Sequence, residues 1–136
     1  MNVLALDYGE KRIGLAIGST ETNLALPYAT IEHVSDQGDI ERVRQVVVEE
    51  EVSVVVVGEP KTMSGSASAT TVAARRFAEL LQAAGVTVAL VDERLTSLQA
   101  DAASRGVAAR SRDEVAATFI LQDYLDRRLG MQNLQE

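Results

Sequence analysis

The sequence predicts one α/β domain built on a mixed five-stranded sheet, three antiparallel strands and then two parallel ones, with helices on both faces. Three observations predict it. The first 33 residues carry three β-compatible apolar runs joined by short turn-like segments. Two later runs, "SVVVVG" and "VTVALVD", are continuously apolar, as strands covered on both faces are. Segments of helical spacing lie between and after them, and a meander followed by alternating helix and strand leads to a sheet with both faces covered.

The elements follow in order. "VLALDYG" and "RIGLAIGS" flank "YGEK" and read as a hairpin. "ALPYATIEH" is a third strand with Pro27 at its start, where a missing N–H is tolerated. Ile40, Val43, Val46 and Val47 mark a helix over 36–51, and the strand 53–58 follows. After the loop "EPKTMSGSAS", a helix runs from about 69 to 84 and ends at Gly85, a suitable C′ residue. The strand 86–92 comes next. "TSLQ" at 96–99 and "SRDE" at 111–114 both fit the S/T-x-x-E/Q capping box, so two helices start there. Gly106 ends the first, and the second runs to about 129, before Gly130. No linker or repeat divides 1–136, a length suited to a single core.

Composition excludes several classes. No apolar stretch approaches the roughly 20 residues of a membrane span. The N-terminus has no basic region and meets Asp7 early, unlike a signal peptide. The absence of cysteine rules out disulfides and thiolate metal sites and agrees with a cytoplasmic location. A net charge of −7 argues against a broad electrostatic grip on nucleic acid. Yet 11 of the 13 basic residues are arginine, suited to phosphate, and they cluster at Lys11-Arg12, at Arg75-Arg76 and at Arg105, Arg110 and Arg112.

Candidate chemistry lies in the carboxylates. Asp7 ends the first apolar run, where an ionised group needs compensation. Asp92 and Glu93 end the last strand. Asp113 opens the final helix on the face of Ala116, Ala117, Ile120 and Tyr124, which turns it toward the sheet. Ligand sites gather at the carboxyl ends of parallel strands, where these acids converge. Each has a bland alternative: a turn hydrogen bond for Asp7, an ion pair with Arg94 for Asp92 or Glu93, a helix-dipole contact for Asp113. Packed together, they would repel unless a cation held them, and hard ions such as Mg²⁺ or Mn²⁺ take carboxylate oxygens. Two such ions suit phosphodiester hydrolysis and would take the charge from −7 to −3 at the place where a phosphate sits.

Four blocks, "LALDYGEKRIGLAIGS", "VVVVGEPKTMSGSAS", "VDERLTSLQA" and "RDEVAATFILQDYLD", resemble the YqgF family, also called RuvX, in family order across residues 3 to 126. The resemblance implies an RNase H-like fold related to Holliday-junction resolvases of the RuvC type. It implies a catalytic, metal-binding set of Asp7, Glu93 and Asp113, and it alone selects Glu93 over Asp92. It further implies a nuclease maturing the 5′ end of the 16S ribosomal RNA precursor. Junction resolution, or a non-catalytic RNA- or ribosome-binding module, is the alternative. Glu59 stands where family members often have an apolar residue, and Ser19-Thr20 where many carry "SD".

Lys11, Arg12 and Arg94 lie beside the acidic set and are candidate phosphate contacts; their bland readings are a solvated turn and a structural ion pair. The Ser/Thr-rich loop 62–71 could close over a strand, although an ordinary loop has the same composition. His33, the only histidine, has no partner in the pattern and receives no role. Tyr8 could stack on a base, although packing in the core or hairpin is the more ordinary use. Nothing in the sequence marks a dimer face.

Overall fold

The computed structural model describes residues 1–59, 69–92 and 112–135, and of Asp92, Arg112 and 131–135 the backbone alone. The strands are β1 (Asn2–Tyr8), β2 (Arg12–Ser19), β3 (Leu24–Glu32), β4 (Val52–Glu59) and β5 (Val88–Asp92). The helices are α1 (Asp36–Glu49), α2 (Ala69–Ala83) and α3 (Arg112–Gln135). The sheet order is β3-β2-β1-β4-β5. β1 pairs antiparallel with β2, and β2 with β3. β4 is parallel to β1, and β5 to β4. This is the mixed sheet that the run pattern predicts.

Alternation along the strands divides the core. Leu4, Leu6, Ile13, Leu15, Val55 and Val57 pack with Val43 of α1 and with Ala74, Phe77 and Leu81 of α2. Val3, Ala5, Ala16, Val54 and Val56 meet Ala117, Ile120, Leu121 and Leu125 of α3 on the other face. A period of two therefore carries Asp7 to the α3 face and Tyr8 to the α1/α2 face.

The helix ends follow local chemistry. Ser35 caps α1, its Oγ accepting from the Gly38 N–H at 3.0 Å. Gly85 (φ +94) closes α2 as expected, with Val86 N–H donating to Leu81 O and Gly85 N–H to Gln82 O, both at 3.0 Å.

Most element ends fall within two residues of expectation, and Pro27 and Gly130 depart from it for physical reasons. Pro27 lies inside β3, not at its start. The ladder skips from Leu15↔Ala29 to Ala16↔Pro27, and that bulge on an edge strand accommodates a residue without an N–H. The last helix runs past Gly130 to Gln135. Gly130 does not take the left-handed conformation that ends a helix, and an interior glycine costs only about 1 kcal/mol relative to alanine. The helix expected from Thr96 lies outside the described residues.

Gln122 sets α3 along the sheet. Its Oε1 accepts from the Ala25 N–H and its Nε2 donates to Asn23 O, each at 3.0 Å, which also satisfies backbone groups on the β3 edge. Asp113 lies nine residues earlier in this helix, about 13 Å away at the helical rise. That anchor helps decide where its first turn lands.

Candidate active site

The site is built at the carboxyl end of β1. Asp7 pairs with Gly14 of β2 on one side and Gly58 of β4 on the other. Directly paired residues share a face, so the two nearest positions around Asp7 present no side chain. This glycine–aspartate–glycine row leaves Asp7 without a neighbouring side chain in either ladder.

Gly14 has a second use. The first turn of α3 rests on it so closely that a Cβ there would overlap the Asp113 carbonyl and stand 2.9 Å from the Asp113 Cβ. Asp113 is thereby set above the residue paired with Asp7. Two of the acids singled out in the sequence, 106 residues apart in the chain, come to one place on one face.

Arg12 completes the described part. Its Nε donates to Asp113 Oδ2 at 3.0 Å, tying the hairpin to the start of α3. The Arg12 side chain is 53% exposed, so this pair contributes at most about 1 kcal/mol to folding. Lys11 and Arg12 line a shallow hollow with Glu10, Glu32 and His33. Glu93 and Arg94 lie outside the described residues. Among the described residues no three acids or histidines are grouped closely enough to hold a metal ion.

Other candidates fall elsewhere. Glu59 shares its strand face with Val55 and Val57, opposite that of Asp7, and forms an ion pair with Arg75 of α2. Its carboxylate is thus directed away from the acidic site. Arg76 pairs with Asp36 of α1 at 3.0 Å, so the Arg75-Arg76 cluster serves ion pairs at α2. Loop residues 62–68, Arg105, Arg110 and the Arg112 side chain lie outside the described residues.

Tyr8 packs between His33 (ring centroids 4.9 Å) and Phe77 (5.1 Å), in agreement with a packing role. Burial, then the charges of Asp36 and Asp39, push its phenol up, with Arg76 opposing. Burial also raises Tyr28, followed by the charge of Glu50, whose Oε1 accepts from its hydroxyl at 3.2 Å. A phenol raised in the folded state stabilises fully below the unfolded value and loses that contribution as pH rises through the folded one. Ultraviolet titration is therefore expected to show tyrosine ionisation at higher pH in the native than in the denatured protein. Coincident curves would contradict this.

His33 is the residue that the sequence pattern missed. Both of its ring nitrogens are engaged, one by Asp39 of α1 and one by the β1–β2 turn. The only available signal was a histidine six residues before an aspartate at a strand-to-helix junction, a spacing without a recognised chemistry.

Residues 1–127 match RuvX, the family described as Holliday junction resolvase. The chain belongs to the RuvX family. RuvX relatives that bear the name of a candidate pre-16S rRNA nuclease include a Chloroflexus aurantiacus protein. It is 40% identical over 96% of this chain and 90% of its own length. Another from Thermoanaerobacter pseudethanolicus is 37% identical over 93% and 96%. Solved resolvases share the RNase H-like fold. T. thermophilus RuvC, in complex with a Holliday junction substrate, aligns with TM-score 0.61 and 22% identity over 96% of this chain and 97% of its own. The fowlpox virus resolvase, in complex with Holliday junction DNA, aligns at 0.56 and 14% over 95% and 99%. The expected RuvX resemblance is thus met across the chain, and with it membership among enzymes that hydrolyse phosphodiester bonds.

Proposed function

We propose that this RuvX protein is a divalent-metal-dependent nuclease acting on the precursor of 16S ribosomal RNA. Asp7, Glu93 and Asp113 are its catalytic carboxylates and metal ligands. The observation that carries the reading is the row Gly14–Asp7–Gly58 with Asp113 seated over Gly14. It brings two of the three proposed carboxylates together at the carboxyl end of β1. Glu93 enters through the family resemblance.

The donor set fits a hard cation: Asp7 and Asp113 offer carboxylate oxygens, and Arg12 already places a positive group on Asp113. Mg²⁺ or Mn²⁺ held there would supply Lewis-acid activation of water and neutralisation of charge on the phosphate. The protein's own part is placement. Gly14 lets α3 bring Asp113 close to Asp7, and the hairpin offers Lys11 and Arg12 to neighbouring phosphates. Arg94 is assigned the same role. Among the described residues no helix is long and apolar enough to cross a membrane. A cytoplasmic site of action goes with the proposed substrate.

Junction resolution is the second reading, favoured by the description of the matching family. Wild-type protein incubated with Mn²⁺ or Mg²⁺, an end-labelled ribosomal precursor and a four-way DNA junction separates the two. Cleavage of the precursor is the expected result, and cleavage of the junction alone would transfer the assignment to resolution. Failure to cut either would favour an RNA- or ribosome-binding module.

Arg12→Gln supplies a graded test. With little stability at stake, its expected effect is a severalfold rise in KM and a shallower salt dependence of RNA binding, by about one unit of slope, as one phosphate contact is lost. Unchanged KM and slope would remove Arg12 from the substrate contacts.

A further inference from the structure

The turn between β1 and β2 joins Asp7 to Arg12, and it is held from outside. Within the turn, the Gly9 N–H donates to Arg12 O at 3.0 Å. His33, just past β3, grips it at two points. Its backbone N–H donates to Lys11 O at 3.0 Å, and its ring Nε2 lies 2.7 Å from Gly9 O. On the other side of the ring, Nδ1 lies 2.8 Å from Asp39 Oδ2. Asp39 is itself fixed: it is 2% exposed, and its Oδ1 accepts from the Val34 N–H at 3.1 Å. The Tyr8 ring packs against the imidazole from the sheet side. A continuous bonded path therefore runs from the first turn of α1 through His33 to the backbone two residues beyond Asp7.

We propose that His33 and Asp39 are positioning residues for the candidate active site, locking the turn 9–12 so that Asp7 and Arg12 stay in register with Asp113. The proposal rests on the nuclease reading for its consequence, not for its geometry. Reacting groups need to be held within about 0.5 Å of productive geometry. A hairpin turn at the surface has no such precision unless it is tied down, and a displacement of about 1 Å costs on the order of 100-fold in rate.

Hydrogen-bond chemistry supplies a discriminating pair of variants. Gly9 O only accepts, so Nε2 must carry a hydrogen. In Asp39→Asn the amide nitrogen can donate to Nδ1 of a neutral ring while the amide oxygen keeps the Val34 N–H. Every bond of the path survives. Asp39→Ala breaks it, as does His33→Ala.

The experiment measures Mn²⁺-dependent cleavage kinetics and amide hydrogen exchange in the parent and these three variants, with circular dichroism as the check on folding. In His33→Ala and Asp39→Ala, kcat is expected to fall about 10- to 100-fold, with KM rising no more than the severalfold expected of Arg12→Gln. The Gly9 amide should also exchange at least about tenfold faster, while distant sheet amides keep parental rates. Asp39→Asn should stay within about threefold of the parent in both readouts. If His33→Ala does not fold, His33→Gln replaces it with the same expected loss, because one amide side chain cannot reach both partners. Parental kcat in the folded clamp variants would overturn the proposal. So would an equal loss in Asp39→Asn and Asp39→Ala, which would make charge and not bonded geometry the requirement. If the parent cleaves nothing, the nuclease reading falls, and Gly9 exchange alone decides whether the clamp holds the turn.

Discussion

Asp7→Asn is expected to fold as the parent does and to lose metal-dependent cleavage by more than about 100-fold. The substitution exchanges one carboxylate oxygen for an amide nitrogen of nearly the same shape. The flanking glycines at 14 and 58 add no side chains that would have to readjust to it. The change lies in charge and donor type. An amide binds a hard divalent ion far less well than a carboxylate does, and the site loses one of the charges that would concentrate the cation there. Loss of a residue one step removed from a metal typically costs 10- to 100-fold, so loss of a direct ligand should exceed that range. The measurements are cleavage of labelled precursor RNA with Mn²⁺, and Mn²⁺ binding by calorimetry. Retention of both within a few-fold would remove Asp7 from the ligand set. Binding lost with cleavage retained would separate the metal from the chemistry.

Gly14→Ala is expected to damage stability and activity together. A methyl group at this position overlaps the carbonyl of Asp113, part of the helix backbone. Backbone cannot rotate aside as a flexible side chain does. The helix cannot tilt freely either, because Ala117, Ile120, Leu121 and Leu125 are buried against the sheet and Gln122 is bonded to the β3 side. Inserting one methyl into such a contact costs about 3 kcal/mol, the upper end of ordinary overpacking. Whatever shift relieves the clash also moves Asp113 away from Asp7 and strains its bond to Arg12. Thermal unfolding should therefore show a clear drop in midpoint, and the protein that remains folded should cleave at least tenfold more slowly. A parental midpoint would show that α3 does not rest on Gly14 in solution.

These two residues show how differently parts of the site could be read. Asp7 was legible because an ionisable side chain closing an apolar run has few inexpensive explanations. Asp113 was legible because its helical face is apolar, and an apolar face turns toward the sheet. Gly14 was not. Glycine in a strand signals a close approach but does not say by what, and the approaching backbone lies 99 residues further along the chain. Glu59 shows the opposite case: an acid where the family often has an apolar residue, which one step of strand alternation places on the other face with Arg75. Pro27 and Gly130 were read by their local habits, and each was overruled by context, a bulge in one case and continued helix in the other.

The sequence by itself determined the class of fold, the order of strands and helices, the family and the residue types suited to the chemistry. All of these reside in patterns shorter than one element or in motifs kept in chain order. Only the tertiary structure decided which sheet faces Asp7 and Glu59 occupy, that glycines flank Asp7, that Arg12 reaches Asp113, and that His33 fastens the turn to α1. The physical reason is range. Periodicity and capping are set by neighbours a few residues apart, whereas contacts between β2, β3 and the helices join positions that no local pattern links, and the packing of the two sheet faces brings them together.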